Sequence, residues 1–291
     1  MPQDTSMQGK TCLVTGATLG IGKVTARVLA DKGATVVIVG RDVAKTAATV
    51  AEIQAQTGNP QVTSIVADLS SQAEVRRTAQ EFLAQHDRLH VLVNNAGGMF
   101  TSRKVTVDGL EYTFALDHLG YFLLTNLLLP TLQASAPARI VSVASAAHAP
   151  GKIHFDDLQF AKGYSAWGAY AQAKLANIMF TYELARRLAG TGVTANTLHP
   201  GVVATGFAKN NGPLLRFAMS ALVRPFQIST EQGAATSIYL ATSPAVEGVT
   251  GEYFAKSKPV KSNTASYVEA DQKRLWDISE QLVGMSVAAH P

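Results

Sequence analysis

The chain has 291 residues, of which 47% are hydrophobic and 16% are charged, and its formal net charge is +4. This length and apolar content suffice for one large α/β domain with a buried sheet, and we expect a single domain over residues 1–291. The lysines and arginines are scattered, without a basic run or interleaved aromatic residues, so nucleic acid is not expected as a partner. The single cysteine, Cys12, favours a reducing compartment and predicts a small apolar filler residue.

The N-terminal segment is polar and lacks the order of a signal peptide, which is a positive charge followed by an apolar stretch. The longest strongly apolar stretch, Tyr121 to Leu129, stops at Pro130 and is too short to cross a bilayer as a helix. We therefore expect a cytoplasmic protein with no membrane span.

Short runs rich in β-branched residues alternate with longer runs that have helical spacing. Apolar residues at successive positions are typical of strands covered on both faces. Strands are predicted at Thr11–Val14, Thr35–Val39, Val62–Val66, Val91–Val93, Arg139–Val143 and Val193–Leu198. Helices are predicted at Ile21–Lys32, Val43–Thr57, Ala73–Gln85, Leu110–Leu129 and Ala169–Ala189, with Gly33, Gly58 and Gly190 at helix ends.

This βαβαβ order, present twice, predicts a doubly wound Rossmann fold. The expected architecture is α/β, with a mainly parallel sheet of about seven strands flanked by helices. Ligands then bind at the carboxyl ends of the strands, near the point where the strand order reverses. The stretch from Phe207 to Ile228 precedes a helix expected near Thr230 and is a candidate substrate lid.

A glycine-rich turn, Thr15-Gly-Ala-Thr-Leu-Gly-Ile-Gly22, lies between the first strand and the first helix. Its glycines would let the backbone approach a pyrophosphate, whose charge is favoured by helix N-terminal amides. A tight turn with glycines only for packing is the alternative, and the strand–turn–helix context favours a dinucleotide. The expected contacts are Gly16, Thr18, Leu19, Gly20, Ile21 and Gly22.

The ends of the next three strands predict further cofactor contacts. Gly40-Arg41 replaces the carboxylate usual in NAD enzymes of this fold, which leaves room and positive charge for a 2′-phosphate and predicts NADP(H). A solvated surface arginine is the alternative.

After the third strand, Asp68 is expected to accept from the adenine amino group or to serve as an N-cap or turn residue. Asn94-Asn-Ala-Gly97 suits a strand end that packs against a ribose. A turn that merely tolerates Asn and Gly is the alternative. The expected contacts are Arg41, Asp68, Leu69, Asn95, Ala96 and Gly97.

Tyr170 and Lys174 lie one turn apart on the same face of a predicted helix. A tyrosine phenol becomes a usable acid or base when a nearby ammonium and a bound nicotinamide cation stabilise its phenolate. Ser145 follows the fifth strand. A strand cap for Ser145 and an amphipathic helix face for the other two residues are the alternatives, and the three residues in this order favour catalysis.

Together these features resemble the short-chain dehydrogenase/reductase family, with His199-Pro-Gly201 as a further match. More narrowly, Asp117 to Thr125, Ala173 to Ile178 and Leu275 to Glu280 resemble the retinol dehydrogenase-like branch. That branch consists largely of NADP(H) enzymes acting on lipophilic alcohols, aldehydes and ketones. The resemblance therefore implies an NADP(H)-dependent oxidoreductase; the alternative is a catalytically weak NADP(H)-binding redox sensor or scaffold.

The resemblance also implies roles for individual residues. Tyr170 would exchange a proton with the substrate oxygen, Lys174 would lower the pKa of Tyr170 and hold the nicotinamide ribose, and Ser145 would hydrogen-bond the substrate carbonyl. A homodimer paired through the helices 110–129 and 169–189 is implied, unless the apolar C-terminal segments keep the protein monomeric. The expected nicotinamide contacts are Pro200, Gly201, Val203 and Thr205.

Asp117 departs from the family, which generally has Asn at this helix position, where the residue helps to anchor a water leading to the catalytic lysine. A contact through the main-chain carbonyl would survive the change, whereas a carboxylate near Lys174 would favour its ammonium and alter the pH at which Tyr170 works. We expect activity with an altered pH profile.

His118, His148 and His154 lack metal-ligand spacing and are expected to be surface or loop residues, so no metal is predicted.

Overall fold

The structure, a computed structural model, describes residues 5–201 and 228–285. One sheet of eight strands has the order β3-β2-β1-β4-β5-β6-β7-β8. All neighbouring pairs are parallel except β7 and β8. The strands are β1 (Thr11–Thr15), β2 (Thr35–Gly40), β3 (Val62–Val66), β4 (Val91–Asn94), β5 (Ala138–Val143), β6 (Val193–His199), β7 (Tyr253–Ala255) and β8 (Lys258–Pro259).

This arrangement confirms the predicted doubly wound α/β fold. The chain runs outward from β1 to β3, returns beside β1 as β4, and continues outward to β8. Sequence periodicity indicated neither β7 nor β8, and β8 is a two-residue antiparallel edge strand. The helices are α1 (Gly20–Asp31), α2 (Val43–Thr57), α3 (Gln72–Gln85), α4 (Tyr112–Phe114), α5 (Gly120–Ala134), α6 (Ala166–Arg187), α7 (Thr230–Thr242) and α8 (Glu269–Leu282).

Apolar side chains of the central strands alternate between two clusters, one on each face of the sheet. Leu13 and Leu92 belong to the cluster under α3, α5 and α6, and Val14 and Val93 belong to the cluster on the α1 side. Cys12 is fully buried in the second cluster, where burial raises the pKa of its thiol to about 12. The thiol is therefore kept protonated, as suits an apolar filler.

The prediction of one continuous helix from 110 to 129 is wrong. The buried carboxylate of Glu111 caps the segment, accepting hydrogen bonds from the Thr113 and Phe114 amides at 2.9 and 2.7 Å, so the helix begins at Tyr112. A π-helical stretch, Ala115–Leu119, then separates α4 from α5. Insertions of this kind concentrate at functional sites because they turn side chains and carbonyls out of α-helical register.

Pro130 was expected to end this helix, but α5 continues to Ala134. Pro130 itself is exposed, whereas Leu128 and Leu132 on either side of it are fully buried in the core. Burial of each of these side chains stabilises the fold by roughly 1.5–3 kcal/mol, which offsets the cost of placing a proline inside the helix.

The C-terminal helix α8 packs along α6. Trp276 of α8 lies with its ring centroid 4.8 Å from that of Phe122 and 5.7 Å from that of Phe180. Most of α6 is buried within the single chain. The helix expected to pair subunits is thus covered by the chain's own C-terminal segment, and the homodimer stays a prediction.

Two predicted cofactor contacts, Val203 and Thr205, lie outside the described residues. So does the candidate lid at 207–228, apart from its last residue, Ile228. In the described part of the chain, no helix is long and apolar enough to cross a membrane.

Candidate active site

The candidate site lies at the carboxyl ends of β1, β4 and β5. The strand order reverses between β1 and β4, and in doubly wound sheets ligands bind in the crevice at this point. The glycine-rich turn follows β1, the segment 95–98 follows β4, and Ser145 follows β5 two residues after its end. The doubly wound topology therefore brings the three motifs together although they are far apart in sequence.

The glycine-rich turn packs directly against the segment after β4. A Cβ added at Gly16 would lie 2.6 Å from the Ala96 Cα, and one at Gly22 would lie 2.6 Å from the Gly16 carbonyl oxygen and collide with the Asn95 side chain. Gly16 also has φ +63°, a backbone conformation that favours glycine. Packing alone thus requires these two glycines, as the alternative interpretation proposed, and it also brings bare backbone to the crevice.

Asn95 braces this contact. Its side-chain nitrogen donates to the Thr15 and Gly16 carbonyl oxygens at 2.9 and 3.1 Å. The Thr15 hydroxyl in turn accepts from the Asn95 and Ala96 amides at 2.9 and 3.0 Å. The amide group that the sequence assigned to a ribose is therefore used to join the two loops, and Thr15 is a structural member of the site that residue patterns did not single out.

The N-terminus of α1 fits a phosphate group. The helix begins at Gly20, and its N-cap residue, Leu19, has no side-chain acceptor for the first amides. The side chains of Asp42, Ser165 and Ser229 cap α2, α6 and α7, whereas the N-cap residues of α3 and α8, like that of α1, provide no side-chain cap. Uncapped amides beside bare glycine backbone suit an anionic group, and these residues fit the pyrophosphate of a dinucleotide.

Packing also explains the glycine at the end of β2. A Cβ at Gly40 would collide with the side chains of Thr46 and Thr18, so the position usual for a ribose-binding carboxylate has no room for a side chain. Arg41 follows immediately, and its side chain is exposed. Arg41 Nη1 donates to the Tyr112 hydroxyl at 3.2 Å.

Tyr112 links the ends of β2 and β3. Its hydroxyl donates to Asp68 Oδ2 at 3.3 Å, and its ring packs edge to face on Phe100 with centroids 4.6 Å apart. Asp68 Oδ1 accepts from the Ser70 amide and hydroxyl at 3.0 and 2.8 Å, so Asp68 also forms the turn that the alternative interpretation expected. Tyr112 was not predicted, because its partners are 71 and 44 residues away and no local pattern marks it.

Leu69 and Ile21 occupy different environments. Leu69 is buried in the core, so its side chain serves packing. Its carbonyl oxygen lies close to α5, because a Cβ added at Gly120 would be only 2.8 Å from it. Ile21, in the first turn of α1, is half-buried, and its carbonyl accepts from the Thr25 hydroxyl at 2.8 Å.

The predicted contacts Pro200 and Gly201 follow β6. The Gly201 amide, at φ +87°, donates to His199 Nδ1 at 3.0 Å.

Ser145 and Tyr170 meet at the end of β5. The Ser145 hydroxyl caps the short 3₁₀ helix Ala146–His148, accepting from the Ala147 amide at 3.2 Å, and is also hydrogen-bonded to the Tyr170 hydroxyl. Ser145 thus has the capping role considered as an alternative in addition to its contact with Tyr170. Only 7% of Tyr170 is exposed, so the phenol is largely shielded from water.

Lys174 lies one turn after Tyr170 on α6. Its Nζ is 5.5 Å from the centroid of the Tyr170 ring and donates to the Val143 carbonyl oxygen at 3.4 Å. Lys174 is only 3% exposed. The helix spacing predicted from the sequence therefore brings the ammonium and the phenol into one buried cluster.

The carboxylate of Asp117 pairs directly with Lys174. Asp117 Oδ2 lies 3.0 Å from Lys174 Nζ, with 0% and 4% of the respective side chains exposed. Within the described part of the chain, Oδ2 has no hydrogen bond of regular geometry, so the contact is an ion pair by distance. Asp117 Oδ1 accepts from the Gly98 amide at 2.9 Å. A Cβ at Gly97 would lie 2.9 Å from Asp117 Oδ2 and 3.1 Å from Lys174 Nζ, so only glycine fits against the pair.

These contacts set the protonation of Tyr170. Burial raises the pKa of the phenol, the negative charge of Asp117 raises it further, and the hydrogen bond with Ser145 lowers it. Burial also raises the pKa of Asp117, against the attraction of Lys174. The ammonium of Lys174 is paired with Asp117 in this cluster, and the lowering of the Tyr170 pKa by Lys174 stays a prediction. At neutral pH the phenol is protonated.

Both contacts considered for residue 117 are present, each with its own partner. The side chain pairs with Lys174, and the main-chain carbonyl accepts from Asn177 Nδ2 at 2.8 Å. Lys174 and Asn177 lie three residues apart on α6. Helix α6 therefore holds Asp117 at two points.

Two of the three histidines differ from the expectation for them, whereas His154 is exposed in a loop as expected. His118 lies in the π-helical stretch and is fully buried, so its assignment to a surface or loop is wrong. His148 is 5% exposed, and its Nδ1 lies 2.7 Å from the Ser145 carbonyl oxygen. Among the residues that the structure describes, no group of three or more His, Cys, Asp and Glu side chains comes together in a way that could hold a metal ion.

Comparisons with known proteins agree with this geometry. The family profile described as short chain dehydrogenase matches residues 10–214. Mouse (Mus musculus) retinol dehydrogenase 12 is 46% identical over 277 residues, which cover 95% of this chain and 87% of that protein.

Two solved structures are similar in fold and sequence. An uncharacterised protein of Mycobacterium paratuberculosis superposes with a TM-score of 0.77 at 35% identity, covering 95% of this chain and 94% of that one. The RhlG/NADP active-site complex of Pseudomonas aeruginosa superposes with a TM-score of 0.70 at 32% identity, covering 87% and 97%.

Proposed function

Because the chain belongs to the retinol dehydrogenase-like branch of the short-chain dehydrogenase family, we propose that it interconverts a lipophilic alcohol and its aldehyde or ketone with NADP(H). It is an oxidoreductase acting on CH–OH groups. The observation that carries the proposal is the buried cluster of Ser145, Tyr170 and Lys174, which lies at the same end of the sheet as the glycine-rich turn.

The preference for NADP(H) is supported at the end of β2. Gly40 has no room for the carboxylate that would bind a ribose diol, and the exposed guanidinium of Arg41 follows it. A guanidinium is suited to a phosphate because its donors match two phosphate oxygens. The similar Pseudomonas structure is a complex with NADP.

NADP(H) supplies or accepts the hydride when it is bound. Tyr170, protonated because it is buried beside a carboxylate, gives its proton to the carbonyl oxygen in reduction. In oxidation the phenol must first lose its proton to solvent, and the resulting phenolate takes the proton of the alcohol. Ser145 donates to the same substrate oxygen and stabilises its developing negative charge. Lys174 keeps a positive charge close to the phenol, and Asp117 limits how strongly that charge acts.

A lipophilic substrate is supported by the relatives. The similar mouse protein is a retinol dehydrogenase, and retinol is an apolar alcohol. We propose that residues 207–228 form a lid over this substrate and that the rest of the chain belongs to the same NADP(H)-binding domain. The predicted contacts of Val203 and Thr205 with the nicotinamide carboxamide are part of this proposal.

The first experiment is NADPH consumption by the purified protein with aromatic, aliphatic, steroid and retinoid carbonyls. We expect turnover of at least one apolar carbonyl, and we expect Tyr170→Phe to lower kcat by about 10²- to 10⁴-fold with little change in NADPH affinity. The same assay with NADH measures the cofactor preference.

Two results would overturn the proposal. Equal use of NADH and NADPH would remove the assigned cofactor. Tight NADPH binding without turnover of any carbonyl, with Asp117→Asn no more active, would favour the redox sensor or scaffold.

A further inference from the structure

The turn that follows β5 carries Ser145 and is closed by its own backbone. The His148 amide donates to the Ser145 carbonyl oxygen at 3.1 Å, and His148 Nδ1 lies 2.7 Å from the same oxygen. The Gly151 amide then donates to the His148 carbonyl oxygen at 2.9 Å. Successive hydrogen bonds therefore link Ser145 to the outer end of the turn, which is residues 148–151.

Asn263 donates to the outer end of this turn from the segment between β8 and the 3₁₀ helix Thr264–Tyr267. Its Nδ2 lies 3.2 Å from the carbonyl oxygen of His148, 2.9 Å from that of Ala149 and 3.0 Å from that of Gly151. The amide group has two hydrogens for these three acceptors, so one hydrogen is shared between two carbonyls. The partners are 112 to 115 residues away in sequence, so no local pattern joins the two segments.

The orientation of the Asn263 amide is fixed at its other end. Its Oδ1 accepts from the Ala265 amide at 2.8 Å and caps the 3₁₀ helix. Rotating the amide by half a turn would place its oxygen against three carbonyl oxygens and its NH₂ group against another N–H. The Asn263 backbone is held as well, because its carbonyl oxygen accepts from the Ser266 amide at 2.9 Å. Asn263 therefore presents a fixed donor to the turn.

Packing holds the same turn on two other sides. A Cβ added at Gly151 would lie 2.8 Å from the Ala171 carbonyl oxygen of α6, so the two backbones are in close contact. The His148 ring packs edge to face on Tyr253 of β7, with centroids 4.8 Å apart. Packing sets how closely the turn approaches α6 and β7, whereas hydrogen bonds are directional and also set its angle. A rotation of the turn would move the Ser145 hydroxyl relative to Tyr170.

We propose that Asn263 is a positioning residue for Ser145. By binding three carbonyl oxygens of the turn, it holds the Ser145 hydroxyl where Ser145 and Tyr170 can both reach one substrate oxygen. The contact also makes the segment after β8 part of the support of the active site. The effect on turnover rests on the proposed function, whereas the anchoring of the turn does not.

Asn59 offers a matched control, because it makes the same kind of bridge at the amino ends of the strands, away from the site. Its Nδ2 donates to the Ala30 and Ala34 carbonyl oxygens at 2.9 Å each, and its Oδ1 accepts from the Gln61 amide at 2.8 Å. A serine at either position keeps an oxygen that can accept from the nearby amide, but it is too short to reach the carbonyls. Asn263→Ser and Asn59→Ser therefore remove comparable bridges without adding a charge.

The positioning role is tested by kinetics. We expect Asn263→Ser to lower kcat for carbonyl reduction about 10-fold with unchanged affinity for NADPH, because a small displacement of a catalytic group lowers the rate steeply. Asn59→Ser should lower the thermal unfolding temperature about as much as Asn263→Ser and keep wild-type kcat. In a Ser145→Ala background, Asn263→Ser should lower the residual kcat little further, because both residues act through the same hydroxyl.

Hydrogen exchange tests the anchoring without any turnover. The backbone amides of residues 146–151, followed by mass spectrometry of the full chain, should exchange faster in Asn263→Ser than in the wild type. They should exchange at the wild-type rate in Asn59→Ser. Unchanged exchange in Asn263→Ser would overturn the anchoring whether or not the protein is an active enzyme.

Three kinetic results would overturn the positioning role. The first is wild-type kcat in Asn263→Ser. The second is an equal loss of kcat in Asn59→Ser, because lower stability would then explain both losses. The third is an undiminished effect of Asn263→Ser in the Ser145→Ala background. Failure of the wild type to turn over any carbonyl would contradict the proposed function instead, and hydrogen exchange would still decide the anchoring.

Discussion

The two ends of the cofactor crevice hold their charges in opposite ways. At one end, Arg41, Tyr112 and Asp68 lie at the ends of β2 and β3, and the guanidinium is exposed to water. At the other end, Asp117 and Lys174 form a buried pair 3.0 Å apart. Water screens the exposed charges, so each acts nearly alone, whereas charges in a low-dielectric interior act on one another strongly.

The difference indicates how each end tolerates change. A substitution at the exposed end should alter affinity for one part of the cofactor and leave chemistry intact. A substitution at the buried end should alter several residues together, because Asp117 contacts Lys174, Gly98 and Asn177 and influences the pKa of Tyr170. Four variants test this contrast.

Gly97→Ala should have the largest effect. The added Cβ would lie 2.9 Å from Asp117 Oδ2 and 3.1 Å from Lys174 Nζ, so the pair must move. A shift of about 1 Å in a catalytic group costs about 10²-fold, and we expect kcat to fall by up to this factor. Steady-state kinetics measure the loss, and circular dichroism melting serves as the folding control. Wild-type turnover in a folded variant would mean that the pair is not held tightly.

Arg41→Ala should weaken NADPH binding without changing kcat. Losing a charged hydrogen bond to a phosphate costs about 1.5–3 kcal/mol, which corresponds to roughly 10- to 100-fold in affinity. Affinity for NADH should stay constant. Arg41→Lys is the matched control, because it keeps the charge and loses the planar guanidinium fork. Its affinity for NADPH should lie between those of the wild type and Arg41→Ala. Fluorescence titration measures both cofactors, and an equal loss for NADH would contradict the assignment of Arg41 to the 2′-phosphate.

Asp117→Asn should change the pH profile more than the maximal rate. Asp117 raises the pKa of Tyr170, so removing its charge lowers that pKa. In alcohol oxidation Tyr170 acts as a base, and the rising limb of kcat should move to lower pH. In carbonyl reduction it acts as an acid, and activity should be lost at lower pH than in the wild type.

Profiles measured in both directions decide this prediction. Asp277→Asn, at an exposed position of α8, controls for the loss of one negative charge and should match the wild type. Identical profiles with identical rates for wild type and Asp117→Asn would contradict a role for the carboxylate.

Tyr112→Phe should have the smallest effect. The variant keeps the ring that packs on Phe100 and loses the hydroxyl that joins Arg41 to Asp68. One net hydrogen bond is worth about 0.5–1.5 kcal/mol, so KM for NADPH should rise roughly 2- to 12-fold. The rise should be smaller at high salt, where screening already weakens the contribution of Arg41. A kcat effect as large as that of Gly97→Ala would mean that the two ends are coupled.

Local patterns predicted most of the fold. The first six strands and the long helices between them follow from apolar periodicity, and the predicted ends of β1, β2 and β4 differ from the observed ends by one residue. The helix from 110 to 129 was wrong because its interruption depends on the buried cap of Glu111 and the contact of Asp117 with α6, which no local window contains. His118 could have been placed in the core, since it lies at helical spacing between Phe114 and Phe122.

The sequence by itself determined the order of strands and helices, the glycine-rich turn, and the spacing of Tyr170 and Lys174, because these depend on backbone periodicity and short-range sterics. The tertiary structure alone decided that Gly40 has no space for a side chain, that Tyr112 joins Arg41 to Asp68, and that Asp117 pairs with Lys174. These three features depend on distances between residues far apart in sequence. Their strength also depends on burial, which fixes the local dielectric and exists only once the chain is folded.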